Sequence, residues 1–151
     1  MTIDQNLTRR AFTFGTLTLA WAATSARADG GIALDGQGRA IKGYDTRAYF
    51  TESTAKLGSD AHTVDWNGAT WQFATAEDAA AFAETPQAFA PQFGGYCTRA
   101  MSFKRTVPAD PEVWRIHDGK LYMFARPVGG TKFDEGPEAM IARAQAFWET
   151  L

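Results

Sequence analysis

The chain is nearly without the residues that usually anchor metal or redox chemistry. Cys97 is its one cysteine, and His62 and His117 are its only imidazoles. A single cysteine closes no intramolecular disulfide. It also rules out the four-ligand thiolate and imidazole site that structural zinc prefers. Clusters of Lys and Arg are missing, and the formal net charge is −2, so nucleic acid and anionic membrane are poor partners. No Gly-x-Ser-x-Gly elbow and no metalloprotease helix motif is present, and neither a repeat of fixed period nor a low-complexity linker is read. What is abundant is aromatic: 5 Trp, 4 Tyr and 11 Phe, enough for one domain of this length to bury a core without disulfides.

Residues 1–28 read as a targeting segment. Arg9 and Arg10 precede Phe12 and a mildly apolar run from Ala11 to Ala23, and Ala26-Arg27-Ala28 supplies a small-x-small cleavage pattern. The arginine pair and the threonines within the run favour twin-arginine export of a folded protein. The run is too short for a membrane anchor, so no stable insertion is expected after cleavage, and the expected compartment is the periplasm. Removing Arg9, Arg10 and Arg27 against Asp4 leaves the remainder more acidic. Thiols in such a compartment are normally oxidised in pairs, so a lone exported cysteine is inert in a core, paired with another molecule, or reactive.

Residues 29–39, rich in Gly and Asp, read as a flexible lead-in, and residues 40–151 as one domain. Thr63-Val64-Asp65-Trp66 and Ala69-Thr70-Trp71-Gln72-Phe73 flank Asn67-Gly68, a hairpin signal, and Val113 to His117 with Lys120 to Phe124 flank Asp118-Gly119 in the same way. Thr75 is placed as a helix N-cap, with Glu77 and Asp78 in the first turn and Pro86 as the stop. A short helix is expected over Tyr96 to Phe103, and Gly136-Pro137 opens a last helix whose Met140, Ile141, Ala144, Phe147 and Trp148 share one face. The result is an α+β domain with two β-hairpins in an antiparallel sheet against about three helices.

Five blocks in order carry a resemblance. They are Gly43-Tyr44-Asp45 with Ala48-Tyr49-Phe50; Asn67 to Ala74; Phe82 with Pro86, Phe89, Ala90 and Pro91; Phe93-Gly94-Gly95-Tyr96-Cys97; and Asp110-Pro111 with Trp114 and Asp118 to Tyr122. Together they resemble the YHS-domain proteins, in particular the exported YHS domain-containing (seleno)protein subgroup. The resemblance implies a small α+β domain related to metal-binding modules of copper and heavy-metal transporters. Where those modules carry two thiolate ligands this chain has Ala74 and Asp78, and their early Asp-Pro-Val-Cys block reads Asp45-Thr46-Arg47-Ala48. The subgroup name further implies selenocysteine in some members at the position of Cys97, which points to redox or soft-metal chemistry there.

Cys97 is thus the leading candidate. In the first turn of a helix and close to Arg99 its thiolate is favoured, although a free cysteine also packs well in a core. Tyr49 and Asp45, beside Tyr44, form a second polar-aromatic cluster and are further catalytic candidates; an Asp there equally suits a turn. Met101, four residues after Cys97, shares its helix face, and His117 is the third donor of a possible soft-metal set that could hold Cu(I). Three functions stay open: a thiol-redox protein, a copper-binding module, and an accessory domain with an inert cysteine. The partners expected are a small thiol or a metal ion, or a periplasmic redox or metal-handling protein. Any redox cycle needs an external thiol, because no second cysteine resolves a sulfenic acid.

Overall fold

A computed structural model describes residues 31–151; the export segment with Arg9, Arg10 and the cleavage point after Ala28 lies outside the described residues. The α+β class holds. In chain order the elements are α1 (Ala48–Thr51), β1 (Ser59–Trp66), β2 (Ala69–Phe73), α2 (Ala76–Glu84), α3 (Pro86–Phe89), α4 (Thr98–Met101), β3 (Asp110–His117), β4 (Lys120–Phe124), α5 (Pro127–Glu135) and α6 (Pro137–Trp148), with 3₁₀ turns at Ile41–Gly43 and Gln92–Gly95. Among the described residues no helix is long and apolar enough to cross a membrane.

Both hairpins form for the reason their turns predict. Asn67 and Gly68 have φ of 51° and 76°, and Asp118 and Gly119 have 48° and 71°, the left-handed pair that twists two antiparallel strands together. Thr75 caps α2, its hydroxyl accepting the Asp78 N–H at 3.1 Å, and Pro86 and Pro137 each start the helix that follows. Two details differ from the sequence expectation. The hairpins are separate two-stranded sheets, and the helices number six among the described residues. Helix α5 escapes a propensity reading because Gly129 and Gly130 lie inside it, each costing about 1 kcal/mol against Ala. Gly129 is there for packing: a Cβ would sit 3.0 Å from the Phe124 Cβ. Residues 31–39 are tied to the domain, with the Ala33 N–H donating to the Gly94 carbonyl at 2.9 Å and the Thr70 N–H to the Gly38 carbonyl at 3.1 Å.

The chain does contain an internal repeat. A 51-residue step carries β1 onto β3, β2 onto β4, α2 onto α5, and the start of α3 onto that of α6. Strand register obeys the same step: Ser59 pairs with Phe73 and Asp110 with Phe124, Trp66 with Ala69 and His117 with Lys120, and both long strands carry an irregularity after their first pair. Identical residues mark the correspondence, including Gly68 and Gly119, Phe73 and Phe124, Phe82 and Phe133, Pro86 and Pro137. Upstream the step is one residue longer, so that Gly43-Tyr44-Asp45-Thr46-Arg47-Ala48 matches Gly95-Tyr96-Cys97-Thr98-Arg99-Ala100. The expectation of no repeat fails because few positions are identical and the step slips once.

Each half has its own core. The first gathers Tyr49, Trp71, Phe73 and Phe82, and the second gathers Phe93, Cys97, Met101, Phe124, Phe133 and Met140. Strand β4 joins them: Leu121 and Met123 face the first cluster, and Tyr122 and Phe124 face the second. With both faces covered, β4 reads as a continuous apolar run where a half-exposed strand would alternate.

Candidate functional site

The two matching hexapeptides hold their third residues, Asp45 and Cys97, on equivalent backbone. Each follows a turn with three consecutive positive φ angles: 41°, 53° and 79° at Ile41, Lys42 and Gly43, and 55°, 62° and 84° at Phe93, Gly94 and Gly95. The main-chain bonds then repeat. Asp45 N–H donates to the Lys56 carbonyl at 2.7 Å and Cys97 N–H to that of Val107 at 2.8 Å; Tyr44 N–H reaches the Ile41 carbonyl at 3.1 Å and Tyr96 N–H that of Phe93 at 3.0 Å. The turns leading into the two positions therefore match; beyond them the bonding differs, the Asp45 carbonyl accepting the Ala48 N–H at 3.2 Å and the Cys97 carbonyl the Met101 N–H at 2.9 Å.

In the first half the surroundings of the third residue are complete. Asp45 is 1% exposed. One carboxylate oxygen accepts the Arg47 N–H at 2.9 Å, and the other accepts the Ala74 N–H, just beyond β2, at 2.9 Å. Burial pushes this carboxyl above the usual carboxylate range, and the two N–H donors oppose that shift. Arg47 lies across the Phe89 ring at 4.6 Å and reaches the Asp78 carboxylate at 3.3 Å. Tyr49 is buried as well. Its hydroxyl donates to the Pro111 carbonyl at 2.9 Å and its ring packs edge-on to Trp114 at 5.1 Å, and burial raises the phenol far above its ordinary value. Asp45 thus bonds within the first half, Tyr49 links the first half to β3, and Tyr49 belongs to a different core cluster from Cys97.

In the second half a cavity of about 430 Å³ stands at the corresponding place. Cys97 lines it, together with Arg99, Arg105, Arg126, Ala125 and Gly129, and none of the lining residues is acidic. The reason is written in the paired positions: the carboxylate of Asp78 becomes Gly129, and that of Asp45 becomes a thiol. Cys97 is 5% exposed. It caps α4 as the residue before its first turn, its sulfur accepting the Ala100 N–H at 3.4 Å. Arg99 lies over the Phe103 ring at 5.5 Å, and exposed Phe103, Val107 and Val128 form an apolar rim.

Of the proposed metal donors, Cys97 and Met101 share the second core cluster. Met101 is fully buried in the second core, its N–H bonded to the Cys97 carbonyl at 2.9 Å. The His117 imidazole faces Glu138 at 3.5 Å and Asp118 at 3.6 Å, and packs edge-on to Phe133 at 5.6 Å. Among the described residues no group of three or more His, Cys, Asp and Glu side chains is placed to share a metal ion.

Arg105 and Arg126, which the sequence reading passed over, come to Cys97 only through the fold. The hidden repeat could have found Arg126 and Ala125, since they match Thr75 and Ala74 at the end of the first hairpin. Thr98 shows how the two halves have diverged. Its hydroxyl is buried without a hydrogen-bond partner, whereas its match, Thr46, donates to the Phe89 carbonyl. The carbonyl matching that of Phe89 is Met140's, which lies inside the 12-residue α6, where the helical ladder uses it. Comparisons with protein-family models, with curated proteins and with solved structures find no match for this chain.

Proposed function

We propose that this chain is an exported thiol protein of the YHS-domain type, in which Cys97 undergoes thiol–disulfide exchange with small anionic thiols. One observation carries the reading: the only sulfhydryl lines a cavity bordered by three arginines and no carboxylate. Guanidinium groups hold carboxylates in paired hydrogen bonds, so a carboxylate-bearing low-molecular-weight thiol suits this cavity. In the exchange the Cys97 thiolate attacks one sulfur of an external disulfide, a mixed disulfide forms, and the other half leaves as thiolate. A second external thiolate then attacks the mixed disulfide and returns Cys97. The competing reading, an accessory module with a structural cysteine, draws on the 5% exposure of Cys97.

Native protein incubated with a carboxylate-bearing disulfide is expected to gain one adduct on Cys97 by intact mass. The adduct should be absent in Cys97→Ser and form at least about tenfold more slowly in an Arg99→Ala, Arg126→Ala double variant, the scale of losing one charge-assisted hydrogen bond. Adduct formation only in denaturant would establish the structural reading. Export is tested separately. Replacing Arg9 and Arg10 with lysine is expected to leave the precursor in the cytoplasm, and unchanged export would assign the general secretory route.

A further inference from the structure

We infer that the second half is built to retain Cys97 in an oxidised, anionic form, a sulfinate that takes the place the Asp45 carboxylate occupies in the first half. The inference rests on the reading of Cys97 as a reactive thiol, but its own support is the internal repeat. A cysteine sulfinate carries two oxygens and one negative charge on the atom next to Cβ, as aspartate does. The main-chain N–H groups of Tyr96 and Cys97 bond the carbonyls that match those bonded by Tyr44 and Asp45, each pair within 0.1 Å, although the reduced sulfur accepts from the Ala100 N–H where Asp45 accepts from that of Arg47. The two N–H groups that receive the Asp45 oxygens belong to Arg47 and Ala74, and their matches are Arg99 and Ala125, both lining the cavity with Cys97.

The electrostatics favour the oxidised form more in this half than carboxylate is favoured in the other. Asp45 shares its surroundings with the Asp78 carboxylate, whereas Gly129 stands at that position beside Cys97 and Arg105 and Arg126 border the cavity. The oxidant is a hydroperoxide. The thiolate attacks one peroxide oxygen, an S–O bond forms as the O–O bond breaks, and the products are Cys97 sulfenate and the alcohol or water that keeps the proton. A second equivalent adds a second oxygen to the sulfur in the same way, each step oxidising sulfur by two electrons and reducing one peroxide.

The test compares Cys97→Asp with Cys97→Asn by thermal unfolding at neutral pH, alongside wild type treated with hydrogen peroxide and followed by intact mass. A general apolar pocket prefers the neutral amide; an anion site prefers the carboxylate, because the amide NH₂ would face a backbone N–H. Cys97→Asp is therefore expected to melt above Cys97→Asn. Wild type is expected to take up two oxygen atoms while native and then melt no lower than its reduced form. Oxygen uptake with Cys97→Asp melting below Cys97→Asn, or with the oxidised protein destabilised, overturns the sulfinate site and leaves thiol exchange standing. Mixed-disulfide formation without uptake of a second oxygen does the same. Native Cys97 that neither forms a mixed disulfide nor takes up oxygen overturns both readings.

Discussion

Asp45→Ala is expected to destabilise the domain by roughly 2–6 kcal/mol, since it leaves two part-buried backbone N–H groups without acceptors and each such loss costs about 1–3 kcal/mol. The groups are the N–H of Arg47 and of Ala74, both now bonded to the carboxylate at 2.9 Å. The first fixes the entry to α1, and the second pins the end of β2 to that entry, so one side chain joins the start of the first half to its hairpin. The effect also depends on pH. Burial raises the Asp45 carboxyl above its ordinary value of 3.8. An acid with a raised native pKa binds more protons folded than unfolded, so its contribution declines as pH rises from the ordinary value through the raised one. The deficit of Asp45→Ala relative to wild type is thus largest in acid and smaller at neutral pH. Urea unfolding of both proteins across that window measures it. A deficit that grows with pH would show that the two N–H donors outweigh burial at this carboxylate.

The contrast with Cys97 shows what the sequence made legible and what it did not. Asn67-Gly68 and Asp118-Gly119 declare both hairpins because their conformational demand is local. Thr75, Pro86 and Pro137 mark helix ends for the same reason. Helix α5 stayed hidden because its glycines answer a tertiary requirement, the close approach of α5 to Phe124, which no local propensity records. Cys97 was found as the sole thiol, but its place as the cap of α4, one residue before the helix, followed from structure. The arginine-lined cavity was the least legible part. Arg105 and Arg126 are ordinary surface charges in the sequence; the turn after α4, where the Arg105 N–H bonds the Ala100 carbonyl, brings the first to the cavity that Cys97 lines, and the return of β4 beside α4 brings the second. Helical spacing places Met101 in the same core cluster as Cys97, while the His117 imidazole at the end of β3 faces Glu138.

Gly58→Ala is expected to cost about 3 kcal/mol or more, the upper range for forcing an extra group into a packed interior. Gly58 lies just before β1, where the strand's register shifts, and its N–H donates to the Gly43 carbonyl at 2.8 Å. A Cβ there would come within 2.6 Å of the Phe73 nitrogen and of the Gln72 carbonyl oxygen. Those are backbone atoms of β2, so no side-chain rotation relieves the clash; the hairpin has to part or the 3₁₀ turn at Ile41–Gly43 has to move. The matching residue in the second half is Ala109, which carries its Cβ and bonds the Gly95 carbonyl at a longer 3.3 Å. The second half has already opened where the first is closed, so Ala109→Gly should cost only about 1 kcal/mol, from one buried methyl and a looser unfolded chain. Urea midpoints of the two variants measure the asymmetry. Equal and small effects would mean that β2 yields to the methyl, and that the two halves are closer in packing than their hydrogen bonds indicate.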